Sequence, residues 1–433
     1  MTEVWQLAED VTLRPESFGG LAFHRRRGFT LELDGQAYDF LRTCLAPRPL
    51  PPPEHPAARL VPQLVRLGFL RPVDVAAKRT EDVSDVPWPG DGITLSAPET
   101  VHLAITARCN QACAGCYVPR REVGPELMAA DWCHAIEQWA RMRVFQVAVG
   151  GGEPLLYEGL FEVLACAHGH GIVPSLTTNG ALLTSDTVRQ LERAGVARVN
   201  TSWNGPGDGS AARPAPTRAL QLLLDSAMQV GVNLLVTPIL LPGLPHTLAQ
   251  LHALGLRRVT LLRPKPPAIA TSKSLAWYET HRLRRADLLR LRAVLTAWQR
   301  ALHLEVDCAL VGLMGHASPK LLRRRGVYGC TAGRRMCTVW PDGRVTPCSF
   351  LADLSAGDVR QAPFAELWTQ GENWEALRDP TTRSVGGCAG CAAAPHCGGV
   401  RCIARHERGG FSVGDAECPH YRAQARTSEE VFE

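Results

Sequence analysis

Three cysteines stand together in one short run, residues 107–117: Cys109, Cys113 and Cys116, spaced C-x3-C-x2-C. Three thiolates at this spacing can hold three irons of a [4Fe–4S] cube. The fourth iron is then left without a protein ligand, as an open coordination site. A structural zinc site would require a further Cys or His close by, and this run has none. A second group lies far downstream. Cys330 is followed by twelve residues, Gly343, four residues and Cys348; then come Cys388-x2-Cys391-x5-Cys397, Cys402 and Cys418, with Cys337 as an additional thiol. Eight of the 15 cysteines therefore fall between positions 330 and 418. Residues 1–10 carry neither a basic start nor an apolar h-region, so a cytoplasmic protein is expected. That compartment keeps thiols reduced, so clumped cysteines there point to iron–sulfur clusters or zinc rather than disulfides. The isolated Cys44, Cys133, Cys166 and Cys308 stand in apolar contexts and are expected to be buried core residues.

The elements around the first trio must hold it rigidly. From about residue 99 to 311, strand and helix signals alternate: 101–106, 144–149, 173–177 and 198–202 read as strands. Between them, 126–143, 161–168 and 185–195 read as helices, and 219–231, 233–238, 246–255 and 258–262 continue the alternation. Such an order predicts an α/β fold with a parallel sheet and right-handed crossovers, open or closed into a barrel. Functional residues then gather at the C-terminal ends of the strands. The cysteine trio follows the first strand. Gly150-Gly151-Gly152-Glu153-Pro154 ends the second, Thr177-Thr178-Asn179-Gly180 the third, and Ser202-Trp203-Asn204-Gly205 the fourth. Glycines permit close backbone approach, and a carboxylate such as Glu153 can pair with an ammonium group.

Outside this core, residues 1–72 read as a separate unit: a hairpin from 21–23 and 30–33, a helix over 37–45, a proline-rich break at 47–53, a helix over 57–67 and a closing strand at 68–70. Residues 73–98 read as a linker, and residues 312–433 as a cysteine-rich extension with short strands at 338–340 and 345–346. At 433 residues with 45% hydrophobic content, the chain can bury sizeable cores. The net charge of +5 is too mild and too dispersed for a nucleic-acid footprint. The most apolar stretch, 232–244, is broken by Pro238, Pro242 and Gly243, so no membrane span is expected.

Taken together, the cysteine trio followed by Tyr117, the GGE-type turn and the TNG-type turn resemble the radical S-adenosylmethionine (SAM) superfamily. The resemblance implies a partial (β/α)6 barrel and SAM chelated on the open iron. Tyr117, Gly151, Gly152, Glu153, Pro154, Thr178, Asn179, Ser202 and Asn204 are then the expected SAM contacts. Asn204 departs from the aspartate usual at its position. The implied chemistry is reductive SAM cleavage to a 5′-deoxyadenosyl radical that abstracts a substrate hydrogen. The downstream cysteines resemble the SPASM extension, which implies two auxiliary [4Fe–4S] clusters and three in all. By that resemblance Cys388, Cys391, Cys397 and Cys418 hold the distal cluster, and Cys330, Cys348 and Cys402 the proximal one, with Cys337 as the expected fourth ligand. Four residues separate Cys397 from Cys402, where three are usual. A pair of zinc ribbons is the competing reading of this region.

The N-terminal unit, expected to be a winged-helix-like α+β domain, is similar to PqqD-like leader-recognition elements through Gly19-Gly20, Asp34-Gly35-Gln36-Ala37 and Leu67-Gly68-Phe69-Leu70. Such elements capture an extended peptide by strand addition. The implied function is oxidative modification of a ribosomally made precursor peptide, such as a thioether or carbon–carbon cross-link, with electrons from a flavodoxin- or ferredoxin-type reductant. Three alternatives stand beside it: sulfatase-maturase-like protein oxidation, oxidation of a small tetrapyrrole-type substrate, and a non-catalytic iron–sulfur or zinc module. No catalytic acid or base is evident, and Ser349, next to Cys348, is too poor a base to be assigned a role.

Overall fold

The structure is a computed structural model; it describes residues 4–52, 54–73, 94–118, 125–203, 217–268, 271–314, 322, 328–371, 374–379, 386–411 and 413–421. The segment from Thr100 onward alternates as its sequence pattern predicts. Strands β7 (Thr100–Thr106), β8 (Gln146–Gly151), β9 (Val173–Thr178), β10 (Arg198–Trp203), β11 (Gln229–Leu235), β12 (Arg258–Leu262) and β13 (His303–Val306) lie side by side in chain order, all parallel. Helices Ala129–Arg141, Leu160–Gly169, Ser185–Arg193, Thr217–Leu224 and Leu244–Ala253 form the crossovers. Between β12 and β13 stand two helices that the sequence reading did not anticipate, Ser272–His281 and Arg285–Trp298. The boundary expected near residue 231 also moves. Gln229 to Gly231 belong to β11, where Gly231 pairs with Asn200 and a Cβ would come within 2.4 Å of the Asn200 side chain.

A parallel sheet covered by helices usually buries apolar residues on both faces. Here one face buries Val101, Leu103, Val147, Val149, Leu176 and Val199 against the helices, together with Trp132 and Trp139. The opposite face is polar and partly exposed, with His102, Ser175, Thr177, Asn200, Ser202 and Asn233 in register across five strands. This is the inner wall of an open barrel.

The edge of β7 is closed by the cysteine-rich region. Strand β14 (Met336–Val339) pairs parallel with β7, and β15 (Arg344–Thr346) and β16 (Gly357–Asp358) follow antiparallel. The sheet therefore reaches ten strands. The alternation of β14 continues that of β7: Cys337 lies opposite Val101 on the apolar face, and Thr338 opposite His102 on the polar face.

The N-terminal unit is richer in strands than expected. The expected hairpin is β3 (Gly19–His24) with β4 (Phe29–Asp34), but β2 (Val11–Glu16) extends it to three strands. A second sheet is built by β1 (Val4–Leu7) between β5 (Arg48–Pro49) and β6 (Leu70–Pro72). Asp34 caps the helix Gly35–Thr43 by accepting from the Ala37 N–H at 2.9 Å. A core of its own, with Leu7, Leu13, Leu41, Leu64 and Phe69, joins the two sheets. This unit is docked on the barrel by buried charge. Arg14 bonds Glu16 and donates to the carbonyls of Pro98 and Arg143, while Arg335 bridges Glu32 of β4 and Glu99 at 2.6 Å each. Phe23 stacks on Phe145 with ring centroids 4.9 Å apart. Among the described residues no helix is long and apolar enough to cross a membrane.

Removing one partner of a buried ion pair leaves the other desolvated and unpaired. Arg335→Ala strands both Glu32 and Glu99, and is expected to cost about 2 kcal/mol, below the fully buried range because both carboxylates keep some solvent contact. A denaturant titration that left the unfolding midpoint unchanged would show that the docking is not carried by this guanidinium.

Candidate active site

The cysteine loop begins where β7 ends. Glu126 accepts from the Thr106 hydroxyl at 2.7 Å and the Ala107 N–H at 2.9 Å, fixing the exit of the strand. Beyond it Cys109, Cys113 and Cys116 are partly exposed thiols that form no disulfide. The N–H of Gln111 donates to the Cys109 sulfur at 3.4 Å. Trp277 of the helix Ser272–His281 covers the loop so closely that a Cβ on Gly115 would lie 2.4 Å from its ring.

The glycine turn after β8 clamps this loop from the other side. Gly152 donates to the Thr106 carbonyl at 2.7 Å and Glu153 donates to the Arg108 carbonyl at 2.8 Å. A Cβ on Gly152 would stand 2.0 Å from the Arg108 carbonyl oxygen, and Gly151 holds φ +111°, so both positions require glycine. The Tyr117 hydroxyl bonds the Gly151 backbone, and burial pushes its phenol well above the ordinary range.

Glu153 is fully buried. Its carboxylate accepts from the Thr178 hydroxyl at 2.7 Å, the Asn179 N–H at 2.8 Å and the Leu155 N–H at 3.2 Å. Burial pushes its pKa up, and the Asn179 and Thr178 donors oppose that. The Asn179 amide in turn donates to Asn110 of the cysteine loop at 2.7 Å. The C-terminal ends of β7, β8 and β9 are thereby laced into one surface that includes Cys109, Cys113, Cys116, Tyr117, Gly151, Gly152, Glu153, Thr178 and Asn179. Pro154 is buried at the start of the turn Pro154–Leu156. Ser202 sits apart from this lacing, on the polar face opposite Asn233. Asn204 lies outside the described residues.

The downstream cysteines separate into two groups. Cys388, Cys391, Cys397 and Cys418 lie within electrostatic reach of one another. Cys388, Cys397 and Cys418 border a cavity also lined by Arg263 and Asp415, an almost fully buried ion pair just beyond β12. Cys330, Cys348 and Cys402 pack around Ala332, Leu351 and Leu377. The residue extra to the usual spacing between Cys397 and Cys402 is absorbed by Gly398 and Gly399, both left-handed at φ +64° and +65°.

Cys337 does not join the second group. It is fully buried in the main core, and Arg378 is the one charged group acting on it. Proximity in sequence favoured it, but strand alternation turns it to the helix-packed face of the sheet. Cys308, expected in the apolar core, is instead partly exposed and lies within electrostatic reach of Cys330 and Cys402. Cys44 is buried as expected, and the thiols of Cys133 and Cys166 bond each other.

The profile described as the radical SAM superfamily matches residues 103–254, and the SPASM profile, an iron–sulfur cluster-binding domain, matches residues 330–392. The chain thus carries a radical SAM domain and an iron–sulfur cluster-binding SPASM domain. It is 27% identical to the PqqA peptide cyclase of Gluconobacter oxydans over 75% of this chain and 92% of that protein. It is 26% identical to the mycofactocin maturase MftC of Mycolicibacterium smegmatis over 70% and 78%, respectively. The AdoMet-dependent heme synthase of Methanosarcina barkeri is 26% identical over 75% of this chain and 97% of its own. Among solved structures, Streptococcus suis SuiB bound to its precursor peptide SuiA shares the fold with a TM-score of 0.70 at 18% identity, over 96% of this chain and 99% of that one.

The radical SAM and SPASM domains bring SAM and [4Fe–4S] clusters with them. The residues present fit those groups: thiols outside any disulfide in a pinned loop, and a turn whose glycines leave no room for a side chain. The polar wall supplies a further feature that the sequence reading missed. The Ser349 hydroxyl and the His102 Nδ1 are 2.7 Å apart, and Ser349 is also 3.1 Å from the Thr338 hydroxyl. His102 also faces Tyr117, whose ring in turn lies 5.5 Å from that of Phe350. Alternation of β7 could have placed His102 on the inner wall; its partner on residue 349 depends on the β7–β14 pairing.

Two outcomes follow from this geometry. Gly152→Ala is expected to displace the Arg108 carbonyl and cost the radical SAM/SPASM protein about four irons, the content of one cube, with its far-ultraviolet circular dichroism unchanged. Gly169→Ala, where a Cβ meets nothing within 4 Å, is expected to retain them. Equal iron in both variants would refute the clamp. Burial pushes His102 down to about 4, so the native state keeps it neutral while the unfolded chain protonates it near pH 6.5. Its effect is absent above pH 6.5, and stability falls as the pH drops from there toward 4. The denaturation midpoint of wild type is expected to fall relative to that of His102→Asn as the pH is lowered through this window, and parallel profiles would contradict it.

Proposed function

We propose that this chain is a peptide-modifying enzyme of natural-product maturation, acting on a ribosomally made precursor whose leader is held by residues 1–72. The observation that carries the reading is the docked N-terminal unit beside a radical SAM/SPASM core. The likeness to SuiB spans 96% of this chain, which cannot be reached without most of that unit. Within it, β4 is paired by β3 alone among the described strands, leaving its other edge to accept an added strand. The similarity to a peptide cyclase and a mycofactocin maturase supports the same substrate class.

When bound, SAM and its cluster supply a reductively generated carbon radical able to remove an unactivated hydrogen atom. The chain's own residues do the rest. Cys109, Cys113 and Cys116 present three thiols on a loop fixed by Glu126 and Gly152. Glu153, Thr178 and Asn179 shape the adjoining surface, with Ser202 and Asn204 as further proposed contacts. The inner wall offers His102, Ser175, Thr177, Asn200 and Asn233 as hydrogen-bonding groups to orient a peptide. The downstream cysteines would hold two auxiliary clusters, three in total, which would supply an electron acceptor for the substrate, with a flavodoxin- or ferredoxin-type protein as reductant for SAM cleavage. The heme synthase relative favours one other reading, oxidation of a tetrapyrrole-type small molecule by the same site.

Mass spectrometry of the short peptide encoded beside the gene, co-expressed with the enzyme, tests the proposal. A mass loss of two hydrogens per modification is expected with wild type and none with Cys113→Ala, which is also expected to form no 5′-deoxyadenosine. An unaltered peptide alongside consumption of a haem precursor would support the second reading instead.

A further inference from the structure

We propose that Cys308 is the fourth protein ligand of the proximal auxiliary cluster, completing Cys330, Cys348 and Cys402 so that none of its irons is left open. The inference rests on the reading that those three cysteines hold a cluster, and it names the residue that decides what that cluster can do.

Cys308 begins the turn Cys308–Met314, directly after Asp307. Its thiol lies within electrostatic reach of both Cys330 and Cys402. The adjoining backbone is held in place from two sides. Ala309 packs against Val400 and Ile403 in a cluster that Cys402 borders, and the Ala309 carbonyl accepts from the buried Arg263 at 3.2 Å. Cys330, Cys348 and Cys402 share their own apolar surround. Four thiols carried by four separate segments therefore converge on one region.

The charges agree with this grouping. Thiolates removed from water need compensating cations nearby. Lys265 is buried in an ion pair with Asp307 and acts on Cys308, Cys348 and Cys402, while its ammonium lies 4.8 Å from the Phe350 ring centroid. Arg401, also buried, lies within electrostatic reach of Cys330 and of Cys388 and Cys397 of the distal group. Among the described residues Cys337 feels a cation, Arg378, but no other cysteine, and its neighbours are the apolar residues of the main core.

The functional consequence is a division of labour between clusters. The first trio leaves one iron open for a small-molecule ligand. A cluster held by Cys308, Cys330, Cys348 and Cys402 offers no such position, so it receives an electron from the oxidised substrate without binding the peptide itself.

The test uses the full chain with Cys109, Cys113 and Cys116 all changed to Ala, which leaves only the auxiliary clusters. Electron paramagnetic resonance of the reduced protein is recorded with and without 13C-cyanide. The background protein and its Cys337→Ala derivative are expected to show no cyanide-dependent change. Cys308→Ala is expected either to show a shifted signal with 13C hyperfine coupling or to lose about four irons, the content of one cube. Cys308→Ser, which keeps an oxygen ligand, is expected to retain that iron. A Cys308→Ala spectrum that matches the background, or a response from Cys337→Ala instead, overturns the assignment. A background protein that holds zinc and no cluster overturns the auxiliary-cluster reading beneath it, and is distinguishable by metal analysis.

Discussion

The pairing of β14 with β7 is the constraint on which the rest of the arrangement depends. An open barrel leaves the edge of its first strand with unpaired N–H and C=O groups, and these must be satisfied. Here a strand from more than 200 residues downstream satisfies them, with Met336 opposite Thr100 and Val339 opposite Leu103. Parallel pairing fixes the register, and the register fixes which side chains meet. Thr338 is set beside His102, and the turn that follows brings Ser349 and Phe350 to His102 and Tyr117. Two cysteine regions that are distant in sequence thus come to share one wall. Phe350 connects them, since its ring faces Tyr117 while its N–H lies 3.5 Å from the Cys348 sulfur.

Buried charge joins the other remote segments. Arg335 links the N-terminal sheet to the start of β7, Arg263 links the end of β12 to the loop before Cys418, and Lys265 with Asp307 stands beside the proximal cysteines. Isolated buried ions are costly, so each of these pairs holds its segments in one arrangement more than it adds net stability. Glu153 acts in the same way without a cationic partner. Its three donors come from its own turn and the end of β9, and its N–H donates into the cysteine loop, so one residue ties three strand ends together. A mouth built from strand ends laced this way is rigid before any ligand arrives, which is what placement of a reactive radical within contact distance of one hydrogen demands.

Much of this was legible in the sequence because its signals are local. Three cysteines in one loop, a glycine turn one strand later and an alternating pattern each report on fewer than a dozen neighbouring residues. Those stretches fold into adjacent β/α units, so order along the chain became order across the sheet. The hairpin β3–β4 was readable for the same reason. Where local signals were weak, the reading failed: β1 and β2 carry little alternation, and Gly231 imitated a helix stop although it is a strand residue shaped around Asn200.

The cysteines mark the boundary most sharply. Composition and spacing alone marked Cys109, Cys113 and Cys116 as one candidate metal-binding loop, because three ligands within eight residues lie close enough to share a site. They could not decide between Cys337 and Cys308. Cys337 is nearer to Cys330 and Cys348 in sequence, yet strand alternation turns it into the apolar core. Cys308 is farther away, yet the return of the chain from β13 brings it within electrostatic reach of Cys330 and Cys402. Which thiol faces which cluster is a property of sheet register and long-range packing, and only the tertiary structure contains it.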